Sequence, residues 1–231
     1  MAKTTYNLSK FCELISHDPN TKKFVGLHKK WLGALSQRQD LMTVGTYIDE
    51  VLRIDAARNA DTAGLFGGSL AMSALVMYSR ATTSASPRSR IVVKDVLPDQ
   101  LLTKHKHLID VRNEVMAHFN GMTSAGGFEW VEEIGYLREE DGSEPAAGIA
   151  FKRANYLAQE INDLREILNF LGPVFYTDIQ KRKAAMLAEL QQLRNDEEIE
   201  QMLQDSGFDL DAWLEREPNT GGIDFVRKRS S

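Results

Sequence analysis

The sequence predicts an all-α protein: a helical bundle with a small β-hairpin insertion and a long C-terminal helix. Apolar residues recur three and four positions apart over most of the 231 residues, the spacing that places them on one helix face. The run Phe128 to Leu137, aromatic and β-branched, offers strand character and is short. A single cysteine, Cys12, allows neither an internal disulfide nor a thiolate metal cluster, so packing must hold the fold.

Each element follows in order. Residues 7–17 are a short amphipathic stretch closed by the turn signal Asp18-Pro19-Asn20, read as an N-terminal arm over 1–21. Over residues 22–54, Phe24, Leu27, Trp31, Leu35, Leu41, Val44, Ile48 and Val51 keep the helical period, giving two helices or one bent helix that is weakest at 36–40. Asp61-Thr62 offers an N-cap for a helix over 63–80, where glycine, alanine and serine alternate with Leu65, Leu70, Met72, Leu75, Val76 and Met77. Apolar nearly all round, that helix belongs at the centre of a bundle or in a subunit interface. Residues 81–100 are polar with two prolines, and Ile91-Val92-Val93 is their strand-like piece. A helix over 98–119 stops at Asn120-Gly121. Asp141-Gly142 turns the strand of 128–137 back toward 149–151. A helix over 154–171 is broken by Gly172-Pro173, a second runs over 174–204, and the chain from Asp209 reads as a mobile tail. The domains are therefore an arm (1–21), a helical domain (22–171), a helical extension (172–205) and an acidic tail (206–231).

The composition, 42% hydrophobic and 26% charged, excludes a disordered or fibrous chain. No apolar stretch approaches the roughly 20 residues that cross a bilayer, and the start Met1-Ala2-Lys3-Thr4-Thr5-Tyr6 lacks an apolar signal core, so the expectation is a cytoplasmic protein without membrane contact. The net charge of −5 argues against indiscriminate coating of nucleic acid. The charge is uneven, however. Residues 80–118 hold seven Lys or Arg against four acids, whereas 189–217 hold ten acids against Arg194 and Arg216. The middle of the chain suits a phosphate backbone and the end does not. His17 and His28 lack acidic partners at metal-ligand spacing, and Gly64-Leu65-Phe66-Gly67-Gly68 lacks the lysine of a phosphate loop, so no metal and no cofactor are expected.

Chemistry concentrates on residues 101–119. On a helix, Leu101, Leu108, Val115 and Phe119 share a face with His105 and Arg112. A guanidinium on an apolar stripe needs acceptors, a partner subunit or a phosphate. Arg112-Asn113, followed after three residues by Ala117-His118, resembles the hallmark of the HEPN superfamily of helical nucleases and nucleotide-binding domains. That hallmark is an arginine and a histidine separated by four to six residues, the first of them polar, and Arg112 and His118 are separated by five. The detailed likeness covers about 101–120, with a looser likeness of helical layout from 24 to 171.

The resemblance implies a metal-independent endoribonuclease working as a homodimer, with one set of Arg112, Asn113 and His118 from each subunit across a cleft, and a toxin or antiphage role. RNA is cut without metal when the ribose 2′-hydroxyl attacks the adjacent phosphorus. Histidine suits the proton transfers and arginine the charge on the phosphoryl oxygens. Near a helix C-terminus, His118 is favoured in its charged form and hence as the acid. Asn113 orients the phosphate. Lys104, His105 and His107, with Arg88 and Arg90 of the preceding loop, are expected contacts to RNA phosphates. Such an enzyme needs restraint, from a neutralising or regulatory protein or from the acidic 189–217 region competing with RNA. The alternatives are a catalytically silent module of the same kind that binds RNA or protein, and a helical dimerisation scaffold in which Arg112 is an interface ion-pair residue.

Overall fold

Helices dominate the chain, and one small antiparallel sheet interrupts them. In the computed structural model, which describes residues 4–57, 66–83, 91–113, 123–125, 128–139, 146–153 and 158–215, the helices are α1 (Leu8–Ile15), α2 (Lys22–Ala56), α3 (Gly68–Thr82), α4 (Asp99–Val111), α5 (Ala158–Leu193), α6 (Glu197–Asp205) and α7 (Leu210–Leu214). The strands β1 (Thr123–Ala125), β2 (Phe128–Arg138) and β3 (Ala146–Arg153) lie between α4 and α5, and none of the described helices is long and apolar enough to cross a membrane. The chain divides into two compact units, residues 29–183 and the two chain ends 1–28 with 184–231. These units cut across the linear partition read from the sequence.

In the unit made of the chain ends, α1 is more than an arm. Phe11 and Ile15 are buried, as are Phe24, Ile199 and Leu203, and Phe11 meets Phe24 edge to face at 5.5 Å. Asn7 caps α1 by accepting from Lys10 N at 3.0 Å, and Asp196 caps α6 by accepting from Glu198 N. Backbone bonds from Asn7 N to Ser206 O (2.9 Å) and from Phe208 N to Thr5 O (3.0 Å) tie the ends together. Asp209, where the sequence reading begins a mobile tail, instead caps α7 by accepting from Ala212 N. Residues 216–231 of that tail lie outside the described residues.

In the larger unit, Val44, Ile48 and Val51 of α2, Ala71, Ala74, Leu75 and Tyr78 of α3, Leu101, Leu108 and Val111 of α4, and Ile161, Leu164, Leu171 and Phe175 of α5 form one core. Three local expectations change here. First, α2 runs unbroken through 36–40 because the polar residues there are engaged. The amide of Gln37 donates to Ala81 O and Ile91 O and accepts from Ile91 N, and Asp40 pairs with Arg80 at 2.7 Å. Second, that clamp on both backbone groups of Ile91 leads into a 3-10 turn at Val93–Asp95, so Ile91-Val92-Val93 is not a strand; Ile91 and Val93 point into the core. Third, α5 passes through Gly172-Pro173. The proline costs about 3 kcal/mol of helix stability, whereas burying Leu171, Phe175 and Ile179 beside it contributes roughly 2 kcal/mol each. Packing therefore outweighs the break. The second long helix of the sequence reading is correspondingly split, α5 ending at Leu193 and α6 starting after Asp196.

The expected hairpin is a three-stranded antiparallel sheet of order β1-β2-β3, with β3 longer than 149–151. The cap Asp61-Thr62, the stop Asn120-Gly121 and the turn Asp141-Gly142 lie outside the described residues.

Candidate nucleic-acid site on helix α4

Helix α4 begins after Pro98 and carries the motif at its end. Its buried side is Leu101, His105, Leu108 and Val111, which keeps Leu101, His105 and Leu108 of the expected stripe and has Val111 buried where Arg112 was expected. At Arg112 the backbone N–H is shared between Ile109 O and Leu108 O, and the helix widens into a π turn over Arg112 and Asn113, a local geometry common at functional sites. Arg112 is partly exposed and Asn113 exposed. Arg112 Nη1 donates to Asn113 Oδ1 at 3.0 Å, and among the described residues no carboxylate forms an ion pair with it. Among the described residues its hydrogen-bond partner is therefore a neutral amide. His118, Arg88 and Arg90, and the stripe residues Val115 and Phe119, lie outside the described residues.

The other expected phosphate contacts on α4 are already engaged. Lys104 Nζ sits 2.8 Å from Asp163 and 2.5 Å from Glu166 of α5, and these two hydrogen-bonded carboxylates hold the ammonium pKa above its ordinary value. His107 Nε2 lies 3.0 Å from Glu160 Oε1. Glu160 and Asp163 are buried, and among the described residues Glu160 Oε2 has no hydrogen-bond partner. A lysine neutralised by two acids has little attraction left for RNA.

His105 requires a clearer correction, since it is buried beneath the surface on which it was expected to grip phosphate. Its Nδ1 lies 2.7 Å from the Tyr78 hydroxyl. Burial, and secondarily the neighbouring Lys106, push its pKa below the ordinary histidine value, while burial raises that of Tyr78. His105 and Tyr78 are hydrogen-bonded to each other in the core, where burial favours the neutral imidazole.

Sequence reasoning did not single out Glu160, Asp163, Glu166 or Tyr78. The acids repeat every three residues, as Lys104 and His107 do, and that matching period is the signal that a paired-helix reading would use. No group of three or more His, Cys, Asp or Glu among the described residues is arranged to hold a metal ion. In comparison with known proteins, no protein-family model matches the chain, no curated protein matches it, and no solved structure matches it.

Proposed function

We propose that this protein is a metal-independent endoribonuclease that acts as a HEPN-like homodimer, with Arg112 and His118 catalytic and Asn113 supporting them. The observation that carries the reading is the Arg112 guanidinium at the end of α4, held by an amide and, among the described residues, unpaired with any carboxylate, on a helix whose Lys104 and His107 are answered by acids. A fixed, permanently charged fork is what a phosphodiester gaining negative charge requires. The 2′-hydroxyl of the substrate attacks the adjacent phosphorus as the neutral imidazole of one copy of His118 takes its proton, and the bond from phosphorus to the 5′-oxygen breaks. Arg112 stabilises the phosphoryl oxygens, Asn113 holds the guanidinium in place, and His118 delivers the proton to the departing 5′-oxygen. A second protomer supplies the equivalent set. A toxin or antiphage role belongs to the same reading and rests on the motif resemblance.

The test is incubation of the purified chain with labelled RNA in EDTA, beside Arg112→Ala and His118→Ala. The reading expects products with 2′,3′-cyclic phosphate and 5′-hydroxyl ends, lost in both variants. RNA binding without cleavage points to a silent binding module, and absence of both to a scaffold; either result removes the enzyme.

A further inference from the structure

A groove of about 370 Å³ opens between α2 and α5 within the larger unit, a volume in the range of small-molecule sites. Its floor belongs to the core, since Leu41 of α2 and Leu171 and Phe175 of α5 are buried there. Its rim is wet, with Met42 40% exposed and Tyr176 61%. The α2 wall runs from Arg38 to Gly45, which is about 10 Å of helix.

Two glycines, Gly45 and Gly172, leave both walls bare. Gly172 has a local reason, because a side chain on the residue before Pro173 is disfavoured in a helix. Gly45 has no such neighbour. It lies inside α2, where glycine weakens a helix relative to alanine. Among the described residues an added Cβ would meet only Leu168 Cδ1, at 4.0 Å, an ordinary contact. Packing therefore does not exclude a side chain at this position. What the glycine does is keep the groove open.

The charge of the groove is a single arginine. Arg38 is exposed at one end of the α2 wall, and among the described residues its guanidinium has no ion pair or hydrogen bond and no carboxylate lines the groove. Asp40, the acid next to it in sequence, is taken by Arg80. The remaining polar lining, Asn169 and Tyr176, is neutral. A guanidinium presents a planar fork that fits a carboxylate through two parallel hydrogen bonds. One fork balances one negative charge, so a phosphate monoester carrying nearly two is matched less well. A protein partner is also a poor fit. Each side of a stable interface buries about 800 Å², whereas the open apolar surface here is Met42, Tyr176 and the groove between them.

We infer that this groove binds a small apolar monocarboxylate, its carboxylate paired with Arg38 and its hydrocarbon body laid over Leu41, Leu171 and Phe175 toward Gly45. The site uses no residue of α4 and does not rest on the nuclease reading.

The experiment titrates octanoate and its neutral amide, octanamide, into the full chain under ligand-observed NMR, beside Arg38→Gln and Gly45→Leu. The expected parent result is saturable octanoate binding at about 1 mM or tighter, with octanamide roughly tenfold weaker or more. Arg38→Gln should lower octanoate to the level of octanamide and leave octanamide unchanged, a crossed pattern that a general loss of fold does not produce. Gly45→Leu should abolish binding of both by filling the groove. Its circular dichroism should match the parent and its melting temperature should be at least as high, because leucine is the better helix former. Arg38 is exposed, so its arm decides the question even if leucine at position 45 disturbs packing. Equal binding of octanoate and octanamide by the parent, octanoate binding that survives Arg38→Gln, or no saturable binding at all would overturn the proposal. So would a groove variant that changes the solution mass, since that assigns the face to a protein chain. RNA cleavage is read in no arm, so failure here and failure of the nuclease reading are separate results.

Discussion

The two halves of helix α4 treat their basic residues in opposite ways. In the middle of the helix, Lys104 and His107 face the acids Glu160, Asp163 and Glu166 of α5. At its end, Arg112 has a neutral amide for a partner. A cation flanked by two carboxylates is a structural element, since its field is cancelled within a few ångströms. A cation held by an amide is fixed in direction and keeps its attraction for phosphate. One helix therefore carries basic residues that α5 answers with acids and, at its end, an arginine whose described partner is an amide, although all three belong to one basic stretch of sequence.

The comparison breaks or sharpens under substitution. The largest effect expected is on RNA cleavage: Arg112→Ala should lower the rate by about a hundredfold or more, and Arg112→Lys should recover only part, because lysine keeps the charge and loses the fork. Lys104→Met should leave cleavage near the parent rate; a loss comparable to that of Arg112→Ala would show that the two halves do not differ.

Stability should respond in the reverse order. His107→Ala leaves Glu160 buried without its partner and should cost roughly 2 kcal/mol in denaturant unfolding. His107→Ala combined with Glu160→Leu should cost less than the separate changes added together. An additive result would mean that the pair does not interact.

A smaller effect is expected with pH. The pKa of His105 is lowered in the fold by burial and by Lys106, and that of His28, stacked on Phe24, is lowered by burial. Both are favoured in the neutral form, so the unfolded chain takes up protons first. Their contribution to stability is complete above the ordinary histidine value near 6.5 and declines as the pH falls below it. Chemical denaturation at a series of pH values should show this decline, and His105→Leu should make it shallower. Smallest of all, Tyr78→Phe should cost about 1 kcal/mol for the lost bond to His105 and leave cleavage unchanged.

Much of this organisation is legible from residues alone. The periods of Val44, Ile48 and Val51 and of Leu101, His105 and Leu108 identify helices and their buried sides, because helical geometry is local and repeats every few residues. The strand character of 128–137 is equally local. Gly172-Pro173 was legible as a break and is none, since the burial of Leu171 and Phe175 depends on helices distant in sequence. Gln37 read as part of a weak point and instead holds the backbone of Ile91, 54 residues away.

His105 and Lys104 show the boundary most clearly. On the sequence they are neighbours in a basic cluster, equally suited to phosphate. The sequence by itself determined the helix and its stripe through Leu101, His105 and Leu108, because these follow from 100° per residue and the chemistry of each side chain. Only the tertiary structure decided that Tyr78 takes His105 into the core and that α5 answers Lys104 and His107 with acids. A charge is active or silent according to what lies within a few ångströms, and which residues come that close is a property of packing between segments far apart in the chain.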